Sequence, residues 1–476
     1  MDTVPDAFSL QVSGNGRIPD SIHRVLIYDS PGYGDRMTNA YGDRYTRLRQ
    51  LGWDMDVLRR SIVLVVGAGA LGNEIIKNLA LAGLGNLLII DPDTIETHNL
   101  TRSVLFRASD VGKSKSAVAA SVAMEIEPGM NARWFHSNVQ ETLGLGVFRE
   151  VDVVLGAVDN LQTRRDLNAN CMRTGTPFID GGLYFLDGDV RVFADPFSVC
   201  FDCTLTEDER EDGRRRWSCL GLASENGPPV GPTAPTVASM VGGLQAQLAL
   251  KYLHRGQPAP YPMRVPSGTR IRFNGIADEY ERWALNRDPA CPTHLTAESV
   301  SEATVRRVAL SNDVVAEELL QKVQGEFGAE SYVDLGFDLV FELSCVRCGR
   351  TEPCLKRQGS ITFLDTMCAV CTVPNCHQCG RRLAESAFAQ SDMVFPDRID
   401  CAFCFESNPV VIRENSILSR LDPESPGLSH TLSQLTVPLM DILEVKGAEG
   451  DEPKFVQLDG DKERVFEAPY IKLPKT

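Results

Sequence analysis

The sequence predicts an α/β chain in which a doubly wound parallel sheet is followed by a cysteine-rich region and a small α+β module. Two patterns point there. From Ser61 to about residue 290, short apolar runs alternate with helical patterns, as in a parallel sheet covered on both faces. Further on the cysteines concentrate: ten of the 14 fall in five Cys-x-x-Cys pairs, at 200/203, 345/348, 368/371, 376/379 and 401/404. A length of 476 residues implies two to four domains at roughly 100–200 residues each.

In chain order, residues 1–50 mix polar, glycine and proline positions and read as an extension leading into a helical stretch from Asp43 to Trp53. A first domain is expected over residues 51–296. Its elements begin with a strand at Ile62–Val66, a helix at Asn73–Ala82, a strand at Asn86–Ile90, a helix at Lys115–Glu127 and a strand at Asp152–Gly156. After His294 the composition changes; Thr304–Leu310 and Val315–Gln324 suggest a strand and a helix ahead of the cysteine pairs. Residues 297–408 form the zinc-ribbon region, and its cysteine-dense part, 345–404, is too loop-rich for an apolar core. Residues 409–476 recover apolar runs at Thr436–Met440 and Lys454–Leu458 and read as a small C-terminal module.

The net charge of −16 argues against a general electrostatic grip on nucleic acid or on anionic membrane. No run approaches the roughly 18 apolar residues of a membrane span, and the first residues lack the charged-then-apolar pattern of a secretory signal. A cytoplasmic location is expected. In that reducing compartment Cys-x-x-Cys spacing points to zinc rather than to disulfides.

The strand at Ile62–Val66 runs directly into Gly67-Ala-Gly69-Ala-Leu-Gly72 and then a helix, which makes the sheet Rossmann-like. Glycines there permit a tight turn and close backbone approach, and a helix N-terminus offers N–H groups to phosphate. Asp91, 24 residues after Gly67 at the end of the second strand, stands where a carboxylate grips ribose hydroxyls. The next stretch, Asp91-Pro-Asp93-Thr-Ile-Glu-Thr-His-Asn99-Leu-Thr-Arg102, with Lys113 and Lys115 beyond it and Val158-Asp159-Asn160 later, separates ATP from a nicotinamide cofactor. Hydride transfer has little need of several cations and an extra carboxylate around the phosphates, whereas attack on an α-phosphate does.

On these motifs, from Arg44-Tyr-Thr-Arg47 to about His294, the sequence resembles the ThiF-type adenylating superfamily. That group includes the activating enzymes of ubiquitin-like proteins and the sulfur-carrier adenylases of thiamin and molybdopterin synthesis. The resemblance implies that Asp91 holds the ribose, that Asn99, Arg102 and Lys115 contact the triphosphate, and that Asp159 binds Mg2+ and assists attack on the α-phosphate. Arg47 resembles an arginine that reaches into a neighbouring subunit's site. The chain departs from the pattern at Leu48 and Ser103, where glutamine is usual. Asp93 and His98 stay open between site and turn roles.

Cys200 and Cys203 match the first half of the family's zinc clip, and Cys291 with His294 supply its second half, a Cys₃His set. Cys219 belongs to no pair. It follows Arg214-Arg-Arg-Trp-Ser, whose charge favours the thiolate, and it precedes a Gly/Pro-rich stretch that reads as a loop. In the resembling enzymes a cysteine of this loop captures the activated C-terminus of the protein substrate as a thioester, or takes part in sulfur transfer. Two Cys₄ zinc ribbons are read as Cys345, Cys348, Cys368 and Cys371, and as Cys376, Cys379, Cys401 and Cys404. Cys354 and His377 are alternative ligands, and Cys354 is also the rival reactive thiol.

Together these features imply ATP-dependent activation of a ubiquitin-like protein, with a conjugating enzyme as the downstream partner. A single glycine fingerprint implies a homodimer; the small terminal module is either a stabilising cap on the zinc ribbons or, as the resemblance implies, a surface that receives the conjugating enzyme. The whole resembles activating enzymes of bacterial ubiquitin-like conjugation operons, including those of antiviral defence. A sulfur-carrier or peptide adenylase is the enzymatic alternative, and a catalytically silent binding scaffold is another.

Overall fold

The computed structural model describes residues 43–195, 198–211, 233–257, 265–296, 300, 305–361, 365, 368, 370–371, 378–379, 398–400, 407–409, 413–447 and 454–466. The chain divides into two units, residues 1–53 with 257–262, and the remainder. In the first, α1 (Thr46–Gln50) is held at its start by Asp43, which accepts the Tyr45 N–H at 2.8 Å and pairs with Arg49 at 2.7 Å.

The larger unit opens with α2 (Met55–Arg60), N-capped by the Asp54 carboxylate. Then follow β1 (Ile62–Val66), α3 (Ala70–Leu81), β2 (Asn86–Ile90), α4 (Lys115–Ile126), β3 (Asn131–Phe135), α5 (Val139–Thr142), α6 (Leu145–Glu150), β4 (Val153–Gly156) and α7 (Leu161–Thr174). The domain continues through β5 (Phe178–Tyr184), β6 (Asp187–Phe193), α8 (Glu207–Glu211), α9 (Pro235–Leu253), β7 (Thr269–Asn274), β8 (Glu279–Ala284) and α10 (Pro292–Thr296).

The eight strands lie in the order β3-β2-β1-β4-β5-β6-β7-β8. All five residues of the central β1 are buried, which is why it reads as an unbroken apolar run rather than an alternation. Pairing is parallel from β3 to β5 and antiparallel from β5 through β8. The parallel sheet expected from the alternating pattern is present in β3-β2-β1-β4-β5, and the later strands make the whole sheet mixed. Short hairpins, which need no crossover helix, join β5 to β6 and β7 to β8, while α9 stands between β6 and β7 in the chain and packs on β5 and β6; every residue of β8 is exposed.

A second sheet has the order β11-β10-β15-β16-β9, with β14 also paired to β10. It is built from β9 (Val305–Val308), β10 (Tyr332–Cys345), β11 (Thr351–Arg357), β14 (Arg413–Leu421), β15 (Ile442–Lys446) and β16 (Lys454–Leu458), while β12 (Arg398–Asp400) and β13 (Ser407–Pro409) pair only with each other. The helix α11 (Ala316–Phe327) lays Ala316, Leu319 and Val323, one face of a 3.6-residue period, onto Val333, Leu339, Leu418, Leu443 and Val456. Strands from both sides of the expected 408/409 boundary therefore share one core. β16 pairs in parallel with β9, some 150 residues earlier.

The segment before β15 docks on the first domain. The Leu439 N–H donates to Thr142 O at 2.9 Å, and Leu439 O and Met440 O accept from Gly144 and Gly146, each at 2.9 Å. Leu439 and Met440 enter the same buried cluster as Val147, Phe148 and Val154. A Cβ on Gly144 would stand 2.4 Å from Asp441 Cα, so the close approach requires glycine there.

Candidate active site

The glycine loop joins β1 to α3 at the carboxyl end of the parallel strands, where open α/β sheets bind ligands. Gly67 has φ +95°, and a Cβ there would lie 2.4 Å from Ala157 O; one on Gly72 would lie 2.0 Å from Gly67 O. These two glycines let loop, helix and the end of β4 pack together. Gly69 differs, since a Cβ there would meet nothing within 4 Å, leaving room for a phosphate to reach the backbone.

Asp91 is buried at the end of β2, its carboxylate accepting the Ala68 N–H at 2.6 Å and the Asp93 N–H at 2.8 Å. Burial pushes this carboxyl up from its ordinary value, against the pull of Lys115. A carboxylate has about four lone-pair sites, so two remain for ribose hydroxyls. Lys115 opens α4, where Ser114 caps the helix, and its Nζ lies 2.8 Å from Asp93. The Lys115 N–H donates to Asp93 O at 3.1 Å. Asp93 thus belongs to the site's frame as well as to a turn.

Asn99 is buried in a short 3₁₀ turn, its Oδ1 accepting the Glu96 N–H at 2.9 Å, which leaves the amide nitrogen to meet phosphate. Arg102 follows and donates to His98 O at 3.2 Å; His98 itself faces Glu96 on the surface. Asp159 is exposed beyond β4, immediately before Asn160, whose side chain caps α7 through the Thr163 N–H at 2.8 Å. The structure therefore gathers Gly67, Gly69, Gly72, Asp91, Asn99, Arg102, Lys115 and Asp159 around one end of the sheet. Arg47 is exposed on α1 in the other unit. Cys219 lies outside the described residues.

Three buried polar residues beneath the site were not singled out by the sequence. Asn73 donates to Ala68 O and Gly69 O and accepts the Leu105 N–H. Arg164 of α7 pairs with buried Asp180 and donates to Val158 O, next to Asp159. Burial pushes the Asp180 carboxyl up despite Arg164. Their sequence signal is faint, a single polar side chain on a helix for Asn73 and Arg164 and in a strand for Asp180.

Two sets of ligand-type side chains converge. In the first, Cys200 Sγ lies 3.7 Å from Cys203 Sγ, 3.6 Å from Cys291 Sγ and 3.6 Å from His294 Nδ1, with Cys203 Sγ to His294 Nδ1 at 3.4 Å. A tetrahedral zinc about 2.3 Å from each sulfur and about 2.0 Å from nitrogen separates its ligands by roughly 3.5–3.8 Å, so the donor set fits. Burial pushes the Cys200 and Cys291 thiols up and the His294 imidazolium down; a cation would offset the first effect, and the second favours the neutral, ligating ring. Asp202, between the paired cysteines, accepts from Arg165 and from Thr293 Oγ1 at 2.6 Å, tying the two halves together. In the second set the sulfurs of Cys345, Cys348, Cys368 and Cys371 all lie within 4.8 Å of one another. Gly349, with φ +69°, makes the turn after the first knuckle. Of the further ribbon, Cys379 is described and exposed, while Cys376, Cys401, Cys404 and the alternative ligand His377 lie outside the described residues.

A family model described as the ThiF family matches residues 44–293, more than half of the chain. The chain belongs to the ThiF family. Among its curated relatives, a SUMO-activating enzyme subunit 2 of Dictyostelium discoideum is 37% identical over 164 residues, 34% of this chain and 25% of the relative. A NEDD8-activating enzyme E1 catalytic subunit of Caenorhabditis elegans is 35% identical over 32% of this chain and 38% of its own length. The chain spans well under half the length of these two. A molybdopterin-synthase adenylyltransferase of Escherichia coli K12 is 30% identical over 52% of this chain and 94% of its own length. Among solved structures, E. coli MccB with ATP aligns at 22% identity and TM-score 0.44 over 56% of this chain and 76% of its own. The ThiF match ends beside the first cysteine set; the second sheet lies beyond it. Among the described residues no helix is long and apolar enough to cross a membrane.

Proposed function

We propose that this chain uses ATP to adenylate the C-terminal carboxylate of a small ubiquitin-like protein, then takes it onto Cys219 for transfer to a conjugating enzyme. What supports the adenylation step is a buried carboxylate, Asp91, bonded to the glycine loop, with Lys115 near it through Asp93 and with Arg102 and Asp159 in the segments that follow β2 and β4. Family membership and alignment over nearly the full length of an adenylyltransferase support it. Identities of 35–37% to the SUMO- and NEDD8-activating subunits favour a ubiquitin-like substrate.

In the first step a carboxylate oxygen attacks the α-phosphorus, forming an acyl–phosphate bond as the bond to the β-phosphate breaks and pyrophosphate leaves. Arg102 and Lys115 neutralise charge on the phosphates, Asp91 orients the ribose, and the glycine-loop N–H groups seat an oxygen. Mg2+ held by Asp159 would supply charge neutralisation at the phosphates when bound. In the second step the Cys219 thiolate attacks the acyl carbon and AMP departs, leaving a thioester. The adenylyltransferase relative favours a second reading, a sulfur-carrier adenylase, which would form adenylate without passing it to a conjugating enzyme. ATP–pyrophosphate exchange with each candidate substrate protein tests both. Exchange only with a sulfur carrier would select the second reading, and exchange with no protein or peptide substrate would reject adenylation.

A further inference from the structure

We propose that Asn73 is a positioning residue for the nucleotide, its side-chain amide turning the Gly69 N–H toward the phosphates and locking the glycine loop to the segment that carries Arg102. The inference rests on the ATP-binding reading above and adds to it a residue outside the motif's glycines.

Asn73 is fully buried on the first turn of α3, among Leu71, Ile75 and Ile76. An apolar side chain at such a position would avoid the desolvation cost of an amide. Its three side-chain hydrogen bonds all go to the backbone of the site: Nδ2 donates to Ala68 O at 2.7 Å and to Gly69 O at 2.9 Å, and Oδ1 accepts the Leu105 N–H at 2.9 Å. Two neighbouring loop N–H groups are already committed, Gly67 to Ile90 O at 2.9 Å and Ala68 to Asp91 at 2.6 Å. The Gly69 N–H is the next in line. In a trans peptide the carbonyl and the following N–H point in opposite directions. With Ala68 C=O held toward Asn73, the Gly69 N–H faces away from it, at the one loop position where a Cβ would meet nothing. On its other side the amide holds Leu105, three residues after Arg102 and within a turn in which the Phe106 N–H donates to Ser103 O at 3.1 Å. One side chain thereby sets the spacing between a backbone dipole and a guanidinium.

The test measures binding of Mg·ATP to the full-length protein by calorimetry at a temperature where circular dichroism shows each variant folded. Asn73→Ser, too short to reach the carbonyls and Leu105 together, should weaken binding about tenfold or more. Asn73→Asp keeps the shape and the acceptor but, when ionised, sets an oxygen against two carbonyls. Once protonated it can donate to Ala68 O. Its deficit relative to wild type should therefore be larger at pH 8 than at pH 6, a pH signature that loss of packing alone would not produce. Wild-type affinity in Asn73→Ser, or an Asn73→Asp deficit equal at the two pH values, overturns the proposal; if Asn73→Ser does not fold, the pH comparison decides alone. Failure of wild type to bind Mg·ATP, or undiminished binding by Arg102→Ala, would instead remove the ATP-site reading itself.

Discussion

Asp159 stands exposed one residue before the Asn160 cap of α7, at a helix start rather than in the core. Removing it should leave the fold intact and the chemistry lost. Asp159→Ala is expected to lower ATP–pyrophosphate exchange by about 100-fold or more, the scale of deleting one transition-state charge group. Cys219→Ala should retain exchange near the wild-type rate, because adenylation precedes the thiol, yet lose the adduct to the substrate protein that reducing agents cleave. An adduct that persists in Cys219→Ala would move the nucleophile elsewhere, with Cys354 of β11 the first to be replaced. Arg164 adds a structural contrast: its guanidinium is shared between Asp180 and Val158 O, and breaking a buried pair leaves an uncompensated charge costing about 3–5 kcal/mol. Arg164→Ala should accordingly lower thermal stability as well as exchange, whereas Asp159→Ala should lower exchange alone.

The elements that join the two sheets carry their own titration. Asp441 is buried between α6 and β15, accepting the Leu145 N–H at 3.1 Å and the Ile442 N–H at 2.9 Å, and burial pushes its carboxyl above the ordinary value. For an acid whose folded-state pKa is raised, the stabilising contribution is complete below the unfolded value, about 3.9, and is lost as pH rises through the folded one. Asp441→Asn keeps an acceptor and removes the charge. Its melting temperature should match wild type near pH 4 and exceed it progressively toward pH 8; a constant difference across that range would show that folding does not raise the carboxyl's pKa. The cysteine sets make a second prediction. One Cys₃His set and two Cys₄ sets give three zinc ions per chain, and elemental analysis of protein purified without chelator should find them. A single zinc would eliminate the ribbons. His294→Ala should release one ion and loosen α10, while His294→Cys should retain it.

For the whole molecule, the shared core of the second sheet changes what a truncation can reveal. Deleting residues 409–476 removes β14, β15 and β16, strips β9 of its β16 partner, and uncovers Val147 and Phe148 where Leu439 and Met440 lie. Exposing those two buried side chains' worth of apolar surface costs about 1.5–3 kcal/mol for each. The truncated chain should lose adenylation through unfolding, seen as a lowered or absent thermal transition; full exchange activity in a folded 1–408 protein would show that the sheet is dispensable. A recruiting role for the tail is therefore better sought with surface substitutions on β14, where Ile417 is exposed, than by deletion. Subunit arrangement has a separate test. If Arg47 acts across a two-fold interface, mixing Arg47→Ala with Asp159→Ala chains should restore exchange in heterodimers, and verified mixing without recovery would place Arg47 in its own chain's site.

How much of this protein was legible in the sequence depends on whether the signal is local. Ile62–Val66 before Gly67-Ala-Gly69-Ala-Leu-Gly72 is visible because a buried parallel strand must be apolar throughout and the following turn needs glycine for its φ and its close contact with β4. Asp91, Arg102, Lys115 and the first cysteine clip are visible for the same reason: each lies at a fixed spacing from a strand or helix end. The order of the sheets was decided by tertiary contacts. Nothing near β5 announces that pairing turns antiparallel there, because a hairpin and a crossover can begin from the same apolar strand. Likewise Thr436–Met440 reads as an apolar run, yet Thr436 and Met440 take φ of +59° and +56°. A left-handed turn at such residues is disfavoured locally; at Met440 it is held by docking against Gly146, and at Thr436 by Arg357, which donates to its carbonyl. Asn73 shows the same limit at one position: its amide is a single polar letter in a helix, and its role exists only where Ala68, Gly69 and Leu105 meet around it. The sequence by itself determined the glycine loop, its charged partners and the ligand spacing, all set within a few residues. Only the tertiary structure decided which distant backbones those side chains hold, because burial and hydrogen-bond partners arise from the packing of segments far apart in the chain.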